Sequence, residues 1–247
     1  MELQHLLVAL IALAACFTQT VSGFGSALVA MPLFMTVVGF RAGQATALMA
    51  TIASALQIAL LIRYRRSLNF AAVFWLAAAA MFGVPLGFLC MKYYVPESVV
   101  LGVLGLLLLA YSIYALSRPR MPRLESRWWA LPAGFLAGLL GGAYATNGPP
   151  AVVYGDCRGW TPEEFKSNLQ GFFMFNNVIL IGLHACLGNY TWQLGGYLLA
   201  ALPGVAGGLV GGLLLSRKIN PVIFRKIMLC LVVFLAVRLL VKAAWGI

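Results

Sequence analysis

Ten apolar runs, parted by short polar or charged stretches, leave this chain little with which to face water. They fall at about 3–21, 23–39, 43–62, 70–91 and 97–117, and again at about 130–142, 147–155, 165–187, 192–215 and 222–245. The 247 residues are 62% hydrophobic and only 9% charged, where a soluble domain averages about 25% charged. Runs of this kind are membrane spans. The chain therefore reads as an all-α polytopic membrane protein with no soluble domain attached, its longest polar stretch being the loop Ser117–Arg127. Leu13-Ala14-Ala15-Cys16 imitates a lipoprotein cleavage box, but Met1–His5 carries no Lys or Arg. A signal peptide needs a positive leading region, so the first run is read as a membrane segment.

The two sets of five runs resemble each other. Gly23 falls opposite Gly141 and Pro32 opposite Pro150; further on, Gly83 falls opposite Gly208, Gly87 opposite Gly212, Lys92 opposite Arg217 and Pro96 opposite Pro221. The register drift between the two groups needs only short loop insertions, which are cheap. This predicts a first transmembrane repeat over 1–117, a cytoplasmic linker over 118–129 and a second repeat over 130–247. Helix starts are legible as well. Thr161-Pro162-Glu163-Glu164 is a capping box with Pro at the first helical position. Asn220-Pro221 and Pro96-Glu97 open helices in the same way.

Loop charges orient the segments. Suppose the third, fourth and fifth runs of each set cross once, and each leading pair crosses an even number of times. Then Arg63, Arg65, Arg66, Arg118, Arg120, Arg123, Arg127, Arg158, Lys166, Arg217, Lys218, Arg225 and Lys226 share the cytoplasmic side. Arg41, Lys92, Arg238 and Lys242 lie opposite, and both termini face outward. An odd number of single crossings per half inverts the second repeat relative to the first, a common plan of secondary transporters. Eight conventional spans with parallel repeats are the alternative, less well matched to the charge split.

The sixth and seventh runs are each too short to cross about 30 Å of hydrocarbon. Between them lies Tyr144–Pro150, with a Thr, an Asn, a Gly and two prolines. Irregular backbone at membrane depth survives only where protein buries it or water lines it. The pair is therefore read as a re-entrant-like helical hairpin, and the first two runs as its counterpart with Gly23-Phe24-Gly25-Ser26 at the tip. The first run is long enough to span, which leaves full crossing and re-entry both open. The second arm of each hairpin starts at its tip, offering unpaired N–H groups and a positive dipole end. Two such tips converging favour a small anion. The candidate binding residues are Gly23, Gly25 and Ser26 from one tip and Gly142, Thr146, Asn147 and Gly148 from the other. Gln57 and Asn177, matched positions on the third and eighth runs, complete the set. Pro32, Pro149 and Pro150 mark the structural breaks.

What is missing narrows the function further. All six acids, Glu2, Glu97, Glu125, Asp156, Glu163 and Glu164, fall at ends or in loops, where cation pathways place a carboxylate in mid-span. The net charge of +11 follows membrane topology, without the basic-aromatic interleaving of a nucleic-acid surface. Cys16, Cys90, Cys157, Cys186 and Cys230 show no metal spacing. No cofactor or metal is expected. An intramembrane enzyme would need a nucleophile and base or clustered ligands, and the two histidines, His5 and His184, stand far apart. His184 is a candidate proton site. The expected partners are a small anionic substrate and the bilayer, with homo-oligomerisation left open. A channel-like permease for another small anion is the alternative.

Ser22–Phe34 (SGFGSALVAMPLF) and Gly138–Tyr154 (GLLGGAYATNGPPAVVY) are each followed by a polar-dotted helix and a Gly-rich one ending in a basic residue. This doubled pattern resembles the TauE/SafE family of sulfite and sulfonate exporters over nearly the whole chain. The first motif has Ser26-Ala27 where the family usually continues its glycines. The resemblance implies export of sulfite, sulfoacetate or related sulfonates across a bacterial inner membrane.

Overall fold

The computed structural model describes residues 2–117, 123–216 and 218–245. Arg118, Arg120 and Arg217, used above for orientation, lie outside them. The described chain is all helical, with 87% of residues in helix and no strand. Ten α-helices follow in order: α1 Glu2–Ser22, α2 Ser26–Leu33, α3 Ala42–Tyr64, α4 Phe70–Tyr93, α5 Glu97–Ser117, α6 Ala130–Tyr144, α7 Gly148–Arg158, α8 Pro162–Cys186, α9 Trp192–Leu215 and α10 Pro221–Trp245. Seven of them (α1, α3, α4, α5, α8, α9 and α10) are long and apolar enough to cross a membrane. The protein is a multi-pass membrane protein.

Local signals set the boundaries. Thr161 and Glu164 close their capping box in both directions, the Thr161 Oγ1 accepting from the Glu164 N–H and Glu164 Oε2 from the Thr161 N–H. Asn69 Oδ1 caps α4 and Thr191 Oγ1 caps α9. Pro149 and Pro150 stand in the first turn of α7, where a missing N–H costs nothing. They open this helix rather than break one. Pro32 lies inside α2, and the chain passes through it into a π-helical turn over Phe34–Val38. Lys242 Nζ donates to the Met35 carbonyl of that wide turn, 3.0 Å away.

Both leading pairs fold back on themselves. Phe40, just past α2, stacks on Tyr197, whose ring also meets His5 and whose hydroxyl donates to Gln4 Oε1 at the start of α1. In the second pair, Arg158 at the end of α7 donates to the carbonyls of Leu124 and Glu125, just before α6.

Packing pairs elements across the halves: α1 on α9, α6 on α4, α3 on α8 and α5 on α10. Glycines make the first two seams close. A Cβ on Gly204, Gly208 or Gly212 of α9 would strike Ala9, Leu13, Cys16 or Thr20 of α1. On the other seam, Gly83 and Gly87 of α4 abut Phe135 and Leu139, while Gly134, Gly138 and Gly142 of α6 abut Leu76, Ala80 and Val84. Small residues of this kind let membrane helices approach backbone to backbone.

Candidate functional site: a pocket between two hairpin tips

Each tip is a local backbone reversal. In the first, Gly23 and Gly25 take φ of 86° and 100°, which glycine alone adopts readily. In the second, Ala145 takes φ 51°, and its N–H closes α6 on the Gly141 carbonyl at 2.8 Å, an αL helix cap without glycine. Among the described residues, no hydrogen bond takes up the backbone N–H of Ser26, Ala27, Leu28, Asn147 or Gly148. The second tip is the poorer of the two, because Pro149 and Pro150 have no N–H to offer.

The tips meet. Gly25 and Ser26 from one, and Ala145, Thr146, Asn147 and Gly148 from the other, line a cavity of about 20 Å³ with Gln57 of α3 and Asn177 of α8. That is room for about one water. Asn177 Nδ2 donates to Gln57 Oε1 at 3.0 Å, an inter-helix pair that leaves the Gln57 amide N–H groups and one Asn177 hydrogen unused. The Asn147 side chain is 8% exposed and makes no hydrogen bond among the described residues. The Gln57, Asn147 and Asn177 amides thus offer unengaged donors at the cavity, and none of its lining residues is charged.

Other expected roles fall elsewhere. The Ser26 hydroxyl donates to Gln19 Oε1 and the Thr146 hydroxyl to the Tyr144 carbonyl, so both line the cavity with their hydrogens already engaged. Gly23 and Gly142 do not line it. The Gly23 carbonyl accepts from Gln170 Nε2 at 2.7 Å, and its Cα faces Lys166. Gly142 is pressed against Val84. Sequence reasoning missed Gln19, which lines the cavity and joins the tip to α8 by donating to Gln170 Oε1 at 2.7 Å. Its signal was an amide flanked by two threonines, Thr18-Gln19-Thr20, near the end of the first apolar run.

Two larger vestibules flank the cavity. One, of about 680 Å³, opens at the start of α8 and carries Lys166, Arg225, Lys226 and Asp156 beside Ser22 and Phe24. The other, of about 490 Å³, lies at the far end of α8 and carries Arg41, Lys92, Thr46 and His184 beside Gly142 and Ala143. Along α8, two turns separate the cavity's Phe173 from Lys166 and another two separate Asn177 from His184, about 10 Å each way. His184 is held between Thr46 Oγ1 at 3.1 Å and Asn189 Nδ2 at 2.9 Å, its ring edge-on to Phe88. No group of three or more His, Cys, Asp or Glu able to hold a metal occurs among the described residues.

Seven helices long and apolar enough to cross a membrane, with a small polar cavity between two hairpin tips, define a polytopic helical membrane protein. The chain matches the family model "Sulfite exporter TauE/SafE" over residues 8–239, and it belongs to that family. Membership implies a membrane transporter of sulfur anions and agrees with a non-enzymatic role. Searches of curated proteins and of solved structures return no match to the chain.

Proposed function

We propose that the chain exports small sulfur-containing oxyanions, such as sulfite, sulfoacetate or a related sulfonate, by alternating access across a bacterial inner membrane. The observation that carries this reading is the meeting of the two hairpin tips at one donor-rich cavity between vestibules of the same charge sign. Backbone N–H groups, Asn147, Gln57 and Asn177 hold the oxyanion, and Gly25 and Gly148 let the backbone approach it. At about 20 Å³ the cavity is too small for a four-atom oxyanion, so the tips part to admit one, as in a carrier rather than a standing pore. Moving one tip relative to the other enlarges it toward one side at a time.

The crossed packing of α1 on α9 and α6 on α4, with matched Gly83/Gly208 and Gly87/Gly212 on the seams, supports two inverted repeats of five segments, 1–117 and 130–247. On that plan the termini face outward and the Lys166–Arg225 vestibule is cytoplasmic. One negative charge leaving an inside-negative cell gains about 2.3 kcal/mol per 100 mV, so export needs no coupled ion.

Flux of sulfite, sulfoacetate and chloride into proteoliposomes tests the reading. The expected result is oxyanion flux that Asn147→Leu abolishes. Absence of oxyanion flux, or flux indifferent to Asn147→Leu, overturns it.

A further inference from the structure

The vestibule at the start of α8 contains an oddity for an anion path, a carboxylate. Asp156, in the last turn of α7, lines it alongside Lys166, Arg225 and Lys226. Arg225 Nη2 lies 3.7 Å from Asp156 Oδ2, with the two side chains 37% and 34% exposed. A long, partly wet pair of this kind is weak. The same guanidinium stands 5.7 Å over the Phe24 ring, and Tyr111 lines the same vestibule. The buried Arg225 Nε–H has no acceptor among the described residues. Phe24 is 1% exposed and packs edge-on to Phe165. Its Cδ2 stands 3.9 Å from where a Cβ on Gly148 would lie. Because Phe24 lines the vestibule and Gly148 the cavity, this ring is the partition between them.

We propose that Arg225 is the capture residue of this vestibule, held in reserve by Asp156, and that an arriving oxyanion takes the guanidinium from Asp156 and draws it off Phe24, freeing the ring to open the cavity. The inference rests on the transport reading above. Exchange of one oxyanion for another leaves the guanidinium paired throughout, which avoids a bare charge beside an apolar wall. A planar guanidinium matches an oxyanion bidentately, and Lys166 and Lys226 concentrate anions near it. Arg225 belongs to α10, Asp156 to the second hairpin and Phe24 to the first tip, so a single exchange acts on both hairpins. The step is one of ion-pair exchange, with no bond made or broken.

The sign of two substitutions tests it, with sulfite and sulfoacetate binding to the purified full-length protein read by calorimetry. Asp156→Asn removes the competitor and is expected to tighten binding three- to tenfold. Arg225→Gln is expected to weaken it at least tenfold. The double variant should bind no better than Arg225→Gln alone, because the gain acts through Arg225. Arg225→Lys, which keeps the charge and loses the fork, should fall between wild type and Arg225→Gln and serves where the latter does not fold. Weaker binding in Asp156→Asn makes the pair a structural clasp and overturns the proposal. So does an equal gain with and without Arg225, which makes Asp156 a diffuse repulsion only. Either result, with oxyanion flux still lost in Asn147→Leu, leaves the tip cavity standing. Absence of oxyanion binding and flux in the wild type removes the transport reading itself.

Discussion

The two hairpins do the same geometric task with different materials. The first tip, with two glycines at φ 86° and 100°, closes α1 by the Gly23 N–H on the Gln19 carbonyl and bonds the Ser22 hydroxyl to the Phe24 carbonyl, and it is also tethered to α8 by Gln170 on the Gly23 carbonyl and on Gln19. The second tip holds itself. Ala145 closes α6 on its own carbonyls, Thr146 hydrogen-bonds Tyr144 two residues back, and two prolines stiffen the start of α7. The helices leading to them differ in the same sense. On the α4–α6 seam glycines come from both partners, whereas on the α1–α9 seam those in contact with α1 come from α9. The second hairpin is thus wedged on α4 by glycines of both partners, whereas the first tip carries an added side-chain tether to α8.

The largest expected effect breaks the seating of the second hairpin. Gly142→Ala sets a methyl into the Val84 carbonyl of α4, and Gly87→Ala sets one into Leu139 of α6. Backbone cannot yield as a side chain can, so both variants should lose most folded protein, read as monodisperse yield in detergent. Gly211→Ala on α9 meets only the Phe17 ring, at 3.7 Å, and should be tolerated. Normal yields from Gly142→Ala would show that the second hairpin is not wedged as described.

Next in size are the tethers. Gln170→Leu leaves the Gln19 amide and the Gly23 carbonyl without their partner. Each buried polar group so orphaned costs about 1–3 kcal/mol, and the first tip loses its link to α8. Sulfite flux should fall at least tenfold. Thr146→Val removes one hydrogen bond from a tip whose backbone closure stays intact, at about 1 kcal/mol, and flux should fall no more than about threefold. Equal losses would erase the distinction between a tethered and a self-held tip.

The hairpins were readable beforehand as counterparts but not in their difference, and the unread part has a common cause. The Thr161 capping box placed the start of α8, and the shortness of the sixth and seventh runs announced a hairpin, because both signals are local. The Gln57–Asn177 pair came from matching positions on two helices. Gln19 escaped because its role depends on Gln170, far along the chain, and a short polar cluster in an apolar run has no period. Phe24 was placed at the first tip without a role, because its contacts with Phe165 and Gly148 come from distant parts of the chain. Gly23 sits at the first break and Gly142 within the last turn of α6, and the direction each faces is set by tertiary packing on Lys166 and Val84. Asp156 read as an inter-helix acid, since nothing nearby in sequence carries α7 through to Arg158.

The smallest effect is also the one whose sign separates the tips most cleanly. Gly25 lies at φ 100°, outside the small left-handed region open to other residues. Space is not the obstacle, since an added Cβ would meet Met228 and Thr18 at 3.5 Å, ordinary contact. Gly25→Ala should therefore cost backbone strain alone, about 1–3 kcal/mol. Ala145 lies at φ 51°, inside that region, where a Cβ costs about 1–2 kcal/mol and glycine is the usual occupant. Ala145→Gly relieves that strain but enlarges the freedom of the unfolded chain by about 0.4–1 kcal/mol. The net change should be a gain of up to about 1.6 kcal/mol, a few degrees in apparent melting temperature. The prediction is thus a fall for Gly25→Ala and a small rise for Ala145→Gly in the same detergent. If Ala145→Gly also slows sulfite flux, the strain at the second tip serves to keep that hairpin stiff. If both substitutions lower the melting temperature, Ala145 is not strained and the second tip is held by its packing instead.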